Sequence, residues 1–194
     1  MSDPFMASID SFVDKANANI ETVCQKTFIK ILAQLVTMSP VGNPELWKVN
    51  TTAKSYNDEV KRYNLELMQD PNNLTPVRKQ LKKRAKVVDS MAIKKPAGYT
   101  GGRFRGNWQV SFDAPASNEV DRIDPSGKMT TAVGNLTIGE FRVGMTQAVY
   151  FTNNVPYAYR LEFGHSSQAP NGMVRVTAEE FQKFFSEASR EISK

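Results

Sequence analysis

The chain has 194 residues, 40% hydrophobic and 23% charged, which suits one domain with a real core and is slightly polar for a globular protein. No apolar run approaches the roughly 18 residues of a membrane span, the first residues lack the basic-then-apolar pattern of a signal peptide, and the single Cys24 rules out an intrachain disulfide framework or a multi-cysteine zinc site. The formal charge of +5 is local: residues 78 to 95 hold Arg78, Lys79, Lys82, Lys83, Arg84, Lys86, Lys94 and Lys95 against Asp89, a net +7, so the remainder stands at −2. These features suit a protein folded in a reducing cytoplasm.

In chain order, Asp3-Pro4 reads as a helix start, with Asp as cap and Pro in the first turn. Ile9, Phe12, Val13, Ala16, Ile20, Val23, Cys24, Ile31 and Leu35 then recur at helical spacing, and Ser39-Pro40 with Gly42 ends a long amphipathic helix. Phe28, Ile29 and Leu32 widen its apolar face, which predicts burial against more than one neighbour. A loop with Gly42, Pro44 and Trp47 follows. A second helix is expected from Ser55 and Asp58, spaced as a capping box, with Val60, Tyr63 and Leu67 on one side, until Asp70-Pro71 breaks it. Thr75-Pro76 opens an expected third helix with Val77, Leu81, Ala85, Val88 and Ala92 on one face and the basic cluster on the other. Residues 54 to 93 thus read as a helical hairpin.

Pro96 to Gly102 is rich in turn residues; Trp108, Val110 and Phe112 then alternate with polar neighbours as a strand does. Residues 113 to 127 read as loop, and 128 to 140 leave helix and strand open. Val143 and Ala148 to Phe151 read as one or two strands, and Tyr157 to Phe163 as a short helix. Thr177 to Glu180 has capping-box spacing ahead of Phe181, Phe184, Phe185, Ala188 and Ile192, predicting a C-terminal helix. The fold class is α+β: a long N-terminal helix and a C-terminal helix packed on a small antiparallel β-sheet, with an inserted helical hairpin.

Catalytic patterns fail on their chemistry. A nucleophile elbow needs glycine where Gln168 stands after Gly164-His165-Ser166-Ser167, and no second histidine supplies a base. A phosphate loop needs Gly-Lys-Ser/Thr where Gly106-Asn107-Trp108 stands. His165, the lone histidine, reads as a loop residue in preference to a base or a metal ligand, because a working site needs partners in named roles. No catalytic, metal or cofactor residue is assigned. Arg78, Lys79, Lys82, Lys83 and Lys86 could face DNA phosphates, but without interleaved aromatics a solvated or intersubunit face is the favoured reading.

Several stretches then fall into a pattern. Ser39-Pro40-Val41-Gly42-Asn43-Pro44-Glu45-Leu46-Trp47-Lys48, Gly98-Tyr99-Thr100-Gly101-Gly102-Arg103-Phe104-Arg105-Gly106-Asn107-Trp108 and Val149-Tyr150-Phe151-Thr152-Asn153-Asn154-Val155-Pro156-Tyr157-Ala158 are three of them. With Leu161-Glu162-Phe163-Gly164-His165-Ser166 and Gln168-Ala169-Pro170-Asn171-Gly172-Met173-Val174-Arg175, they resemble the neck or tail-completion family of tailed bacteriophages. Order and spacing agree from about residue 8 to 192, as one domain over 1–194, except for an insertion at 49–93, on whose purpose the family is silent.

The resemblance implies a non-enzymatic virion protein of the neck or tail, assembled in the host bacterial cytoplasm and needing no cofactor or membrane. It would form a ring, hexameric by preference with dodecamer as the alternative, between portal- or adaptor-side connector proteins and tail tube proteins. Genomic DNA would be a transient contact. Subunit or partner contacts would then fall on Arg103, Phe104, Arg105, His165, Gln168, Asn171, Met173 and Arg175.

Overall fold

A computed structural model describes residues 4–192 and divides the chain into two compact units, residues 1–41 with 100–194, and residues 42–99. Helix α1 (Pro4–Met38) opens the first unit; the Asp3 cap expected there lies outside the described residues. Its residues Phe28, Ile31, Leu32, Leu35 and Val36 share one face at helical spacing, and Leu32, Leu35 and Val36 are buried in the core. Phe104, Trp108, Ile138, Val155, Ala169 and Met173 complete that core.

Three elements pack along α1. Helix α4 (Lys128–Gly139) resolves the ambiguity of residues 128 to 140 in favour of helix and buries Ile138. Strands β1 (Gln109–Phe112) and β2 (Val149–Thr152) form a two-stranded antiparallel sheet in which Val110 opposes Phe151. Residues 143 to 151 therefore supply one strand. The rings of Phe28 and Phe112 both pack on Phe141, at 5.2 and 6.3 Å between centroids, tying sheet to helix. Helix α7 (Phe181–Ile192) lies antiparallel to α1, with Ala188 and Phe184 buried and Lys26 and Lys30 paired to Glu191 and Glu187 at 2.9 Å. The α+β class stands, with about 52% helix and one small sheet.

Close approach of α4 to α1 depends on Gly134, where a Cβ would collide with Leu32 Cδ2 and meet Val110 Cγ2 at 3.3 Å. Leu32 is fully buried and has nowhere to swing. Gly134→Ala is therefore expected to destabilise the first unit by about 1–3 kcal/mol despite the better helix propensity of alanine. A urea midpoint equal to or above that of the parent would contradict it.

The C-terminal helical stretch departs from expectation. Helix α6 (Val174–Glu179) precedes α7, and Thr177 lies inside it, buried, so the Thr177–Glu180 capping box does not form. The start of α6 is held from a distance. Glu162, the last residue of helix α5 (Ala158–Glu162), accepts the N–H groups of Met173 at 2.8 Å, Val174 at 3.0 Å and Arg175 at 3.1 Å. Burial pushes the Glu162 carboxyl up, but these donors together with Arg175 outweigh it and hold it below its ordinary value. Gly164, at φ +83°, lets the chain leave α5.

The second unit corrects the helical hairpin. Helix α2 (Thr51–Leu67) is present, but residues 74 to 99 contain no helix. Val77 and Val88, expected on a buried face, are 90% and 81% exposed. Residues 87 to 94 instead run along α2 as an extended strap, clasped by three asparagines.

Each asparagine amide pairs reciprocally with one strap residue. Asn64 Nδ2 donates to Val87 O at 2.8 Å and its Oδ1 accepts Val87 N–H at 2.9 Å. Asn57 treats Met91 the same way at 2.9 and 2.8 Å, and Asn50 treats Lys94 at 2.8 and 2.8 Å. The spacing explains the fit. Seven residues of helix rise about 10.5 Å, which three or four residues of extended chain also cover.

Candidate interaction surfaces

The loop carrying His165 is knitted into its own unit. Gln168 pairs reciprocally with the backbone of Val41: its Oε1 accepts Val41 N–H at 3.2 Å and its Nε2 donates to Val41 O at 3.0 Å. His165 donates its backbone N–H to Arg160 O at 3.1 Å, and its side chain is exposed. Among the described residues no group of three or more His, Cys, Asp or Glu side chains could hold a metal ion. Arg175 reaches Glu162 O at 2.9 Å and lies 4.9 Å from the centre of the Phe163 ring, so it braces the α5–α6 connection. Asn171 is exposed.

The Arg103–Arg105 stretch lies in the one-turn helix α3 (Arg103–Gly106). Arg105 points back at the C-terminus of α1 and donates to Ser39 O at 2.7 Å, Thr37 O at 3.2 Å and Pro125 O at 2.8 Å. It satisfies carbonyls the helix end leaves open, in the dipole's favourable sense. Ser39 completes the joint: its Oγ donates to Leu35 O and accepts the Trp108 indole N–H, both at 2.7 Å. Phe104 and Met173 are 4% and 1% exposed, so both are core residues unavailable to a neighbour. Arg103 stays at the surface, paired with Glu119 at 2.7 Å. Of the eight expected contacts, Arg103, His165 and Asn171 remain unburied and lightly held, while Gln168, Arg105 and Arg175 serve their own chain.

Two surfaces went unread in the sequence. The first is the N-terminal stretch of α1. Among the described residues, helix α7 reaches back to the level of Asn19, Ile20 and Val23, which form a cleft with Phe185 and Ile192. Beyond it, Ile9, Phe12 and Val13 are 40%, 73% and 46% exposed, on the stripe whose periodicity predicted burial. The second is the asparagine clasp, signalled by Asn50 just ahead of α2 and by Asn57 and Asn64 at seven-residue intervals along it.

The basic cluster lies on the second unit, on turns and strap. Arg78, Lys79, Lys83 and Lys86 are exposed; Lys82 is half-buried and donates to Asn72 O at 2.8 Å. No helix among the described residues is long and apolar enough to cross a membrane. Compared with known proteins, the chain matches no family model, no curated sequence and no solved structure.

Proposed function

We propose that the protein is a structural subunit that assembles with copies of itself into a ring at the neck or tail end of a tailed-phage virion. In this role it would stand between connector and tail tube proteins and catalyse no reaction. The observation that carries the reading is the bare apolar stripe of α1, Ile9, Phe12 and Val13, beside Ile20 at 51% exposure. A helical projection of this length gains little stability in water by itself and needs a packed partner. A head-to-tail contact between that stripe and a different patch on the next copy propagates around an axis, and a ring is its closed form. The resemblance of residues 149–158 and 168–175 to the neck and tail-completion family supports the same reading.

Mass photometry on the full chain, alone and with reconstituted neck components, tests it. The parent is expected as a discrete closed species, a hexamer by preference, and Phe12→Glu with Val13→Glu is expected to return it to monomer at unchanged helicity. A parent that stays monomeric in both settings would overturn the reading. In virions, deletion should leave filled heads beside unattached tails.

A further inference from the structure

Residues 74 to 86 of the second unit fold as two successive turns that carry six cations. Leu74 and Leu81 meet in an isolated antiparallel bridge, and Thr75 N–H donates to Gln80 O at 2.7 Å, so Pro76 to Lys79 form the tip. A second turn follows, closed by Ala85 N–H on Lys82 O at 2.9 Å and Lys86 N–H on the same oxygen at 3.1 Å. Arg78, Lys79, Lys83, Arg84 and Lys86 all stand exposed on these turns.

Carboxylates nearby in the unit are engaged elsewhere. Asp58, Glu59 and Glu66 pair along α2 with Lys54, Lys61 and Arg62, and Asp89 accepts the Tyr56 hydroxyl. Asp70 Oδ1 accepts Asn72 N–H at 2.9 Å. Among the described residues, none of the five exposed cations has an ion-pair partner. Like charges gathered on two tight turns repel one another, and an external polyanion relieves that repulsion.

We propose that this double turn binds the phosphate backbone of double-stranded nucleic acid without regard to sequence. The inference stands apart from ring assembly. Three features select that ligand. Arg78, Lys79, Lys83, Arg84 and Lys86 are mostly lysine, which protein–protein interfaces deplete and which meets phosphate as a point charge. No aromatic residue lies between 74 and 86 to stack unpaired bases, which argues against a single strand. The turns also present no helix to enter a major groove, so phosphate contact is what they offer.

Fluorescence anisotropy of the full chain with a labelled duplex of about 30 bp tests it. With four to five phosphate contacts, Kd should rise on the order of 100-fold or more between about 50 and 200 mM NaCl. Arg78→Gln, Lys83→Gln, Arg84→Gln and Lys86→Gln together should flatten the log–log salt slope by about 3 to 4, at an unchanged melting temperature. Arg78→Lys with Arg84→Lys should keep it. Absence of binding at low salt overturns the proposal, as does binding that survives the fourfold neutralisation. Displacement of the duplex by polyglutamate at lower charge concentration than by unlabelled duplex also overturns it, and marks an acidic protein as the partner.

Discussion

Asp124→Ala is expected to destabilise the first unit by about 2–4 kcal/mol, because it strips the N-terminus of α4 of its acceptor. Asp124 is 5% exposed and uses both oxygens. Oδ1 accepts Ser126 Oγ and Gly127 N–H at 2.8 Å, and Oδ2 accepts Thr130 N–H and Thr130 Oγ1 at 2.9 Å. Alanine leaves the Gly127 and Thr130 donors buried and unanswered at the start of the helix that packs Gly134 and Ile138 onto α1. Each unit carries one tryptophan, Trp47 in the second and Trp108 in the first, so a Trp47→Phe background lets Trp108 fluorescence follow the first unit alone. A urea midpoint within error of the parent would refute the assignment.

The same carboxylate dictates an acid limb. Burial pushes Asp124 up, but the Thr130 N–H, the Ser126 and Thr130 hydroxyls and the Gly127 N–H outweigh it and hold the group at about 2, below its ordinary 3.8. A depressed folded value adds stability above the unfolded value and loses it as pH falls, here between 3.8 and about 2. The size of that contribution is about 2 kcal/mol. The parent's unfolding free energy should fall across this window more steeply than that of Asp124→Ala. Parallel curves would show that Asp124 is not the group responsible.

Most of the first unit was legible because its order comes from periodic burial. The spacing of Phe28, Ile31, Leu32 and Leu35 states a helix face, and Trp108, Val110 and Phe112 state a strand entering the core. Features set by partners far along the chain were not legible. Thr177–Glu180 has the spacing of a capping box, yet the helix start is held by Glu162, more than ten residues upstream in Met173 to Arg175. Arg103 and Arg105 looked free, and only the fold brings Arg105 to the carbonyls of Thr37 and Ser39.

The failure at residues 76 to 93 has a sharper cause. Val77, Leu81, Ala85, Val88 and Ala92 do recur at helical intervals, but a helix would also stack Arg78 on Lys82, Lys82 on Lys86 and Lys79 on Lys83. Like charges four residues apart weaken a helix, and no acidic residue intervenes to offset them. The turn-and-strap conformation imposes no such helical stacking and obtains its backbone partners from Asn50, Asn57 and Asn64. The bare N-terminal stretch of α1 was illegible for a related reason: an amphipathic pattern states that a face is apolar, not whether its own chain covers it.

Asn64→Ala is expected to release the strap where it joins the basic turns. The substitution removes both the donor to Val87 O and the acceptor for Val87 N–H in a half-buried contact, at a cost of about 1–3 kcal/mol. Exchange of the Val87 amide should accelerate roughly 10- to 100-fold, since it proceeds through local opening of the strap. Tryptic cleavage after Lys86 should accelerate alongside it. Asn64→Asp separates the two bonds, because Oδ1 still accepts Val87 N–H while the donor to Val87 O is lost, so its effect should fall between parent and alanine. Asn57→Ala should act more weakly, since Met91 is exposed and water can replace the lost partner. Asn50→Ala should act most strongly: Asn50 is fully buried, and its Nδ2 serves Pro44 O as well as Lys94 O, both at 2.8 Å. This order of 50, then 64, then 57 follows burial rather than position along α2. A strap held by Ile93 and its apolar neighbours alone would give equal, small effects at all three sites, and that pattern would remove the clasp as the organising contact of the second unit.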